Sequence, residues 1–440
     1  MNIKFYKKLC KFCDKILLSK KSSIFTHSVT ALHVLKEHPV LMDYYFNFKN
    51  NQKKKIKTIK KKFLFYILEF FTEKKNFELN KFQMKGADIL ILSNLINISH
   101  VDKKYDFYFG NLEEYLNKKE IKTFTILRNF TDKPSSYVVT KLKKSKVLLF
   151  KKTFFFREIY IIYKIWIEFL LIKKNFKIPK ILKLKKNFIS LFSMRSMIYN
   201  LRLQYQIRDL VKITKPKLLI IPFEGHAWER VLIKSIKNFN KDLKIVCYQF
   251  SIITKYQHSL FRPLKSDYNP DYILSSGSIT KKKFEKYYNC PIKIFGSNKY
   301  KNNKTKNKTK KNIFLVVPEA FQSEMEFMLN FTINCAKLYS NYKFIFRVHP
   351  LMKSNILKEK VKNYNNIFLS DNSFDEDLKS CNYIFFRGSA AVFEAINSGL
   401  KPIYLKKKNE FDINPLHDIF PKFLNAFNEK DIKKIINYFN

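Results

Sequence analysis

The sequence predicts an α/β protein with two parallel sheets, and three observations carry that expectation. Short apolar, β-rich runs alternate with helical patterns along most of the chain. The runs are apolar throughout instead of alternating with polar residues, as strands covered on both faces require. Residues 301–311, eleven in a row without an apolar side chain, divide the series in two. With 440 residues, 46% of them hydrophobic and 28% charged, the chain has the length and balance for two separate cores.

Taken in order, residues 1–82 alternate lysine clusters with apolar helical segments, 24–35 and 63–71 among them, and read as a helical lead-in. Residues 83–298 form a first α/β domain. Its strands are expected at 87–92, 123–127, 146–150, 218–223, 244–250, 272–277 and 292–295, with helical patterns at 109–116 and over 152–213, and helices from Ala227 and Thr280. Within 152–213, Tyr160, Tyr163, Ile167 and Leu171 share a stripe, which reads as core. A basic linker spans 299–312. Residues 313–440 form the second domain, with strands at 313–318, 344–350 and 367–369 and a helix over 323–339. It closes on a strand, turn, helix, strand series over 383–405, in which Arg387-Gly388-Ser389 is the turn and Pro402 opens the last strand.

Lys and Arg number 85 against 36 Asp and Glu, a net charge of +49, which favours polyanionic partners or an anionic membrane. Abundant Lys, Asn, Ile, Phe and Tyr beside 7 Gly and 13 Pro is also what an A/T-rich genome writes, and the lysines are spread as solvated faces. No nucleic-acid module signature accompanies them, so no specific nucleic-acid partner is expected. The six cysteines include one C-x-x-C, Cys10 and Cys13, with no second pair; reduced structural thiols are the expectation. The run 63–71 is too short to span a bilayer, and 159–172 is broken by Lys164 and Glu168. The protein is placed in the cytoplasm, where basic, aromatic-bearing helices suit peripheral contact with the inner face of the membrane.

Polar clusters stand where strands should end, the edge at which open α/β sheets bind ligands. Glu224, Gly225, His226, Glu229 and Arg230 follow the 218–223 strand. A carboxylate there can take a proton from an acceptor hydroxyl, and Gly225 lets backbone approach a ligand. The competing reading is that Glu224 and Glu229 cap or ion-pair the next helix. Arg347, His349 and Pro350 end the 344–350 strand, where Arg offers a forked charge to phosphate and His a hydrogen bond. Gly388 and Ser389 present donors at a helix start, with Glu394 one turn on in reach of a ribose hydroxyl. Gln257 and His258 line the opposite side in a loop.

The two-domain layout, Glu-Gly-His-Ala-Trp-Glu-Arg at 224–230, Arg-Val-His-Pro at 347–350, Gly-Ser at 388–389 and Glu-Ala-x-x-x-Gly-x-x-Pro-Ile at 394–403 resemble GT-B glycosyltransferases of bacterial surface-polysaccharide assembly. The resemblance covers roughly residues 85–410. Within that fold the chain is similar to the sialyl-, polysialyl- and Kdo-transferase groups. The resemblance implies two Rossmann-like domains facing across a cleft, an acceptor domain and a nucleotide-sugar donor domain. It implies inverting, metal-independent transfer from a nucleotide-activated donor, a CMP-linked acidic sugar, to a glycan or lipid-linked glycan. It implies no cofactor beyond the nucleotide sugar itself. Glu224-Gly225 matches the motif that supplies the base, with Glu229 and His226 beside it, and His349-Pro350 matches the motif that contacts CMP. A CDP-alcohol phosphotransferase, a nucleotide-sugar epimerase and a non-enzymatic basic binding protein remain the alternatives.

Overall fold

The computed structural model describes residues 3–33, 85–101, 105–131, 133–142, 146–149, 153–176, 194–262, 264–297, 312–349, 352, 355–408 and 410–439. The expected apolar runs pair into two sheets. The first holds β1 (Ile89–Leu95), β2 (Thr123–Asn129), β3 (Lys146–Leu148), β4 (Leu218–Pro222), β5 (Lys244–Gln249), β6 (Tyr272–Ser275) and β7 (Ile292–Ile294), in the order β3-β2-β1-β4-β5-β6-β7. The second holds β8 (Ile313–Val317), β9 (Lys343–Phe346), β10 (Ile367–Leu369), β11 (Tyr383–Phe386), β12 (Lys401–Leu405) and β13 (Asn425–Ala426), in the order β10-β9-β8-β11-β12-β13. Every pairing is parallel. In each sheet the winding reverses once, between β1 and β4 and between β8 and β11. Such switch points leave a crevice at the strands' carboxyl ends.

The sheets are buried on both faces for the reason their composition gave. Leu90, Leu92, Leu219 and Ile221 enter one core, while Ile89, Ile91, Ile220 and Val246 enter another on the opposite face. In the second sheet Phe314, Val316, Phe344 and Phe385 face one way and Leu315, Val317, Ile384 and Phe386 the other. Helices supply the covering layers: α1 (Ile3–Leu17), α2 (Ile24–His27), α3 (Leu112–Lys118), α4 (Ser135–Thr140), α5 (Phe155–Asn175), α6 (Met194–Thr214), α7 (Ala227–Phe239) and α8 (Ser278–Phe284) before the second sheet, then α9 (Gln322–Leu338), α10 (Asn355–Val361), α11 (Phe374–Ser380), α12 (Ala391–Asn397) and α13 (Asp431–Phe439).

Four expectations change. The strand expected over 344–350 stops at Phe346, so Arg347 and His349 stand beyond it and strand alternation does not place them; Pro350 lies outside the described residues. The short β13 and the helices α10, α11 and α13 went unforeseen, although α11 opens on a Ser373–Glu376 capping box and α13 is amphipathic, burying Ile432, Ile435 and Ile436. The helical segment expected at 24–35 is a single turn capped by Ser23, followed by a 3-10 turn, Thr30–His33; 63–71 and the linker 301–311 lie outside the described residues. The stripe expected as core on α5 faces outward instead: Tyr160, Tyr163 and Leu171 are exposed, and the buried side of α5 carries Ile161, Ile165, Ile172 and the carboxylates of Glu158 and Glu168. Among the described residues, no helix is long and apolar enough to cross a membrane.

The helix α1 shares a core with the second sheet and with the helices α5, α6 and α7. Its Cys13 and Ile16 belong to the cluster that holds Leu315, Ile384 and Phe386 of the second sheet and Val231 of α7. Its Tyr6 hydroxyl donates to the Tyr256 carbonyl at 2.6 Å, and its ring meets Phe411 edge-on at 5.4 Å. Cys10 and Cys13 are both buried thiols in this packing, and burial pushes Cys13 up to about 12.

Candidate active site

Two polar clusters form, one at the switch point of each sheet. At the first, the chain leaves β4 through Phe223 and turns into α7 over Glu224-Gly225-His226. Glu229, fully buried in the first turn of α7, fixes that turn: its carboxylate accepts from the backbone N–H of Glu224 at 3.0 Å, Gly225 at 2.8 Å and His226 at 3.0 Å. Burial pushes the Glu229 carboxyl up to about 7, with His226 opposing and Glu224 reinforcing the shift. The N–H donors around it favour the ionised form. Glu229 is therefore the helix cap of the two readings of this acid.

Glu224 points elsewhere. Its Oε2 lies 3.1 Å from His226 Nε2, and both side chains are partly exposed. Gly225 sits at φ +81°, and a Cβ there would fall 2.7 Å from the Ser259 backbone, so only glycine lets the turn and the 257–260 loop approach this closely. That loop reaches back: Ser259 Oγ donates to the Glu224 carbonyl at 3.3 Å, and Gln257, buried, approaches the same carbonyl at 3.5 Å. His258 pairs with Asp14 of α1 at 2.8 Å, and Arg262, buried, donates from Nε to the same carboxylate at 2.5 Å. Burial favours the neutral acid, but His258 and Arg262 hold Asp14 below the usual carboxylate range.

Arg230 is fully enclosed, donating to the Tyr268 carbonyl at 3.2 Å, Asn269 Oδ1 at 2.9 Å, the Ser259 carbonyl at 3.3 Å and the Tyr288 hydroxyl at 2.8 Å. It braces the 257–260 loop from inside instead of lining a surface.

Three residues not singled out in the sequence join this cluster. Asn94, on β1, donates to the Tyr108 hydroxyl at 3.2 Å. Burial pushes that phenol up to about 12, and the nearby charges of Glu224 and Asp106 reinforce the shift. Arg128, buried on β2 beside Asn94 in the register, lies 4.2 Å over the Trp228 ring and donates from Nε to the Tyr199 hydroxyl at 2.9 Å. Its Nη1 is buried without a hydrogen-bond partner among the described residues. Arg128 and Asn94 carry the signal that marked Arg347, a polar side chain closing an apolar run; Tyr108 carries none.

At the second switch point, Glu319 follows β8 and the Gly388-Ser389 turn follows β11. A Cβ at Gly388 would fall 1.6 Å from Glu319 Oε1, so the glycine makes room for that carboxylate. His349 stands close enough to feel Glu319; burial lowers its pKa and Glu319 opposes the shift. The imidazole is thus neutral near pH 7, a hydrogen-bonding group and not a cation. Ser389 Oγ accepts from the Ala391 N–H at 3.3 Å, and Glu394 is partly exposed on α12. Arg347 turns toward α11, where Nη1 meets Asp377 at 2.7 Å, the Asn372 carbonyl at 2.8 Å and Ser370 at 3.3 Å. Arg387 is buried behind the turn, paired with Glu324 and Glu410 and donating to the Leu405 carbonyl at 2.6 Å.

A short run of contacts joins the clusters. The 257–260 loop touches Glu224, Tyr256 meets Phe411 at 5.6 Å, and Glu410 holds Arg387 beside Gly388. Among the described residues, no group of three or more His, Cys, Asp or Glu is arranged to hold a metal ion.

Fold and clusters define an α/β protein built on two parallel sheets, with a polar cluster at the switch point of each. No protein-family model matches the chain, and no curated protein matches its sequence. Among solved structures it is similar to the glycotransferase of kitacinnamycin, at 8% identity over 80% of this chain and 90% of that one with a TM-score of 0.45. It is similar to a putative UDP-N-acetylglucosamine 2-epimerase from Listeria monocytogenes, at 12% identity over 80% and 88% with a TM-score of 0.46. It is also similar to a glycosyltransferase from Rickettsia africae, at 11% identity over 80% and 87% with a TM-score of 0.43. At such identities and scores these likenesses say nothing about substrate or mechanism.

Proposed function

We propose that this protein is an inverting glycosyltransferase that moves a sugar from a nucleotide-activated donor to a hydroxyl of a surface glycan or lipid-linked glycan. The observation that carries the reading is Glu224. It is a carboxylate at the carboxyl end of β4, beside the switch point, on a turn fixed by Glu229 and paired with His226 at 3.1 Å.

In this reading Glu224 takes the proton of the acceptor hydroxyl as that oxygen attacks the anomeric carbon. The bond from the anomeric carbon to the donor phosphate breaks on the opposite face, the nucleotide leaves with the electron pair, and configuration inverts. His226 holds Glu224 in place, and Gln257 and Ser259 support the turn from behind. On the second sheet neutral His349, the Gly388-Ser389 turn and Glu394 receive the nucleotide, with Glu319 orienting His349. The match of His349 and Pro350 to a CMP-contacting motif favours a CMP-linked acidic sugar. Arg347 contributes by fixing the 370–377 loop through Asp377, and Arg230 by bracing the 257–260 loop.

Glu224→Gln keeps the shape and removes the base. Transfer should fall by roughly a hundredfold to ten-thousandfold, with nucleotide affinity unchanged. The assay is release of free nucleotide from CMP-, UDP- and GDP-sugars, alongside titration of the nucleotides themselves. Turnover at the unaltered rate in the variant removes Glu224 as base. Absence of binding to every nucleotide removes the transferase reading.

A further inference from the structure

The helix α5 is inverted relative to an ordinary surface helix. Its two acidic residues point inward: Glu158 is 2% exposed and pairs with Arg202 at 2.7 Å, and Glu168 is 7% exposed and accepts from Ser23 at 2.9 Å and from Thr26. Its outward side carries Phe156 at 83% exposure, Tyr163 at 53% and Trp166 at 56%, with Ile159, Tyr160 and Leu170 between them. Helical spacing aligns these side chains into one stripe. A buried stripe would have lowered the free energy of folding; left in water it costs solubility, and contiguous apolar surface of this kind marks a docking site.

The chemistry of the occupant follows from what surrounds the stripe. Lys164 places its ammonium 5.6 Å from the Tyr160 ring, and the Arg157 guanidinium lies 5.7 Å over Phe154. Arg157 is neutralised by Asp209 at 2.6 Å, so with both acids of α5 withdrawn its outward face combines apolar bulk, aromatic rings with polar edges, and the positive charge of Lys164 and Lys174. At its C-terminal end a cavity of about 440 Å³ is lined by Lys21, Lys174, Asn175, Ser22 and also Glu168, whose carboxylate is held by Ser23 and Thr26; Ser22 Oγ is buried there without a hydrogen-bond partner among the described residues. Trp and Tyr beside Lys suit the interface of an anionic bilayer, with rings at headgroup depth and ammonium groups on the phosphates. Since no described helix can cross a membrane, α5 would lie in the interface plane.

We propose that the outward face of α5 docks this protein onto an anionic lipid bilayer, with Phe156, Tyr163 and Trp166 entering the interface and Lys164 and Lys174 meeting lipid phosphates. The inference rests on this surface alone and is independent of the transferase reading.

The test uses the full chain with vesicles of mixed phosphatidylglycerol and phosphatidylcholine, and with phosphatidylcholine alone. Of the 2 tryptophans, Trp166 is exposed and Trp228 buried, so lipid-dependent emission reports α5. The expected result is a blue shift and quenching by brominated acyl chains with the anionic vesicles, both lost in Trp166→Phe. Phe156→Ser, Tyr163→Ser and Trp166→Ser together should weaken vesicle partition roughly a hundredfold. Lys164→Gln with Lys174→Gln should weaken it about tenfold or more and reduce its salt dependence. Unaltered thermal melting and far-ultraviolet circular dichroism would show that the variants are folded. The proposal is overturned by partition that ignores the stripe variants, by unaltered Trp166 emission with every vesicle, or by self-association without lipid that the stripe variants abolish, since a second copy would then be the occupant.

Discussion

Gly225 and Gly388 look alike in the sequence, each a glycine just past an apolar run, yet the structure asks different things of them. At Gly225 a new Cβ meets backbone, and φ of +81° disfavours any side chain. Gly225→Ala should destabilise the protein by about 2 to 4 kcal/mol, read as a drop in the urea midpoint. At Gly388 the new methyl meets the far end of Glu319, which can swing aside. Gly388→Ala should change stability by less than about 1 kcal/mol while weakening nucleotide binding, because the carboxylate that faces His349 has moved. Equal stability losses in the two variants would contradict this distinction. The same contrast separates Glu224 from Glu229. Both are glutamates at the start of α7, but the backbone N–H groups around Glu229 make it the clamp and leave Glu224 as the acid that can reach a ligand.

At the scale of elements, α1 is the piece whose role exceeds its expectation as lead-in. One carboxylate on it, Asp14, receives both His258 and the fully buried guanidinium of Arg262. Arg262 also donates to the Leu32 carbonyl at 3.1 Å, so α1 and the turn after α2 converge on the loop behind Glu224. Asp14→Asn should destabilise by about 3 kcal/mol, because it strands a buried cation. It should also lower turnover at unaltered nucleotide affinity, since the 257–260 loop loses its anchor. Chemical denaturation and steady-state kinetics check the two halves, and a variant as stable as the parent would show that Arg262 finds another partner. The helix α5 teaches the converse. Its periodicity is helical and correctly read as such, but periodicity alone cannot tell which stripe faces the core when buried acids on the opposite stripe find partners in Arg202, Ser23 and Thr26.

For the whole molecule, burial of His27 and His33 makes stability fall on acidification, and Glu229, raised by burial to about 7, opposes that fall between about pH 7 and the ordinary carboxylate range near about 4.3. Burial lowers His27 to about 3 and His33 well below its usual value, Arg262 adding to both shifts. Unfolded histidine titrates near about 6.5, so on acidification the unfolded chain takes up protons before the folded one. The contribution of the two histidines is fully present above about pH 6.5 and is lost as pH falls from there toward about 3, by up to about 1.4 kcal/mol per pH unit for each histidine. Urea unfolding across that window should show less loss of stability on acidification in His27→Gln with His33→Gln than in the parent; an unaltered pH dependence would assign it elsewhere. Composition and pattern were enough to determine the α/β class and nearly every strand of both sheets, because a strand buried on both faces must be apolar along its whole length. They also located the strand-end clusters at 224–230 and 387–389, since polar groups collect where the apolar run stops. Only the tertiary structure could decide that Arg347 and Arg230 spend donors inside the protein, that Glu319, Tyr108 and Arg128 stand near the switch points, and that the α5 stripe faces out. The reason is physical: strand and helix follow from neighbours in sequence, whereas the partner of a buried charge and the outward side of a helix are set by residues tens to hundreds of positions away.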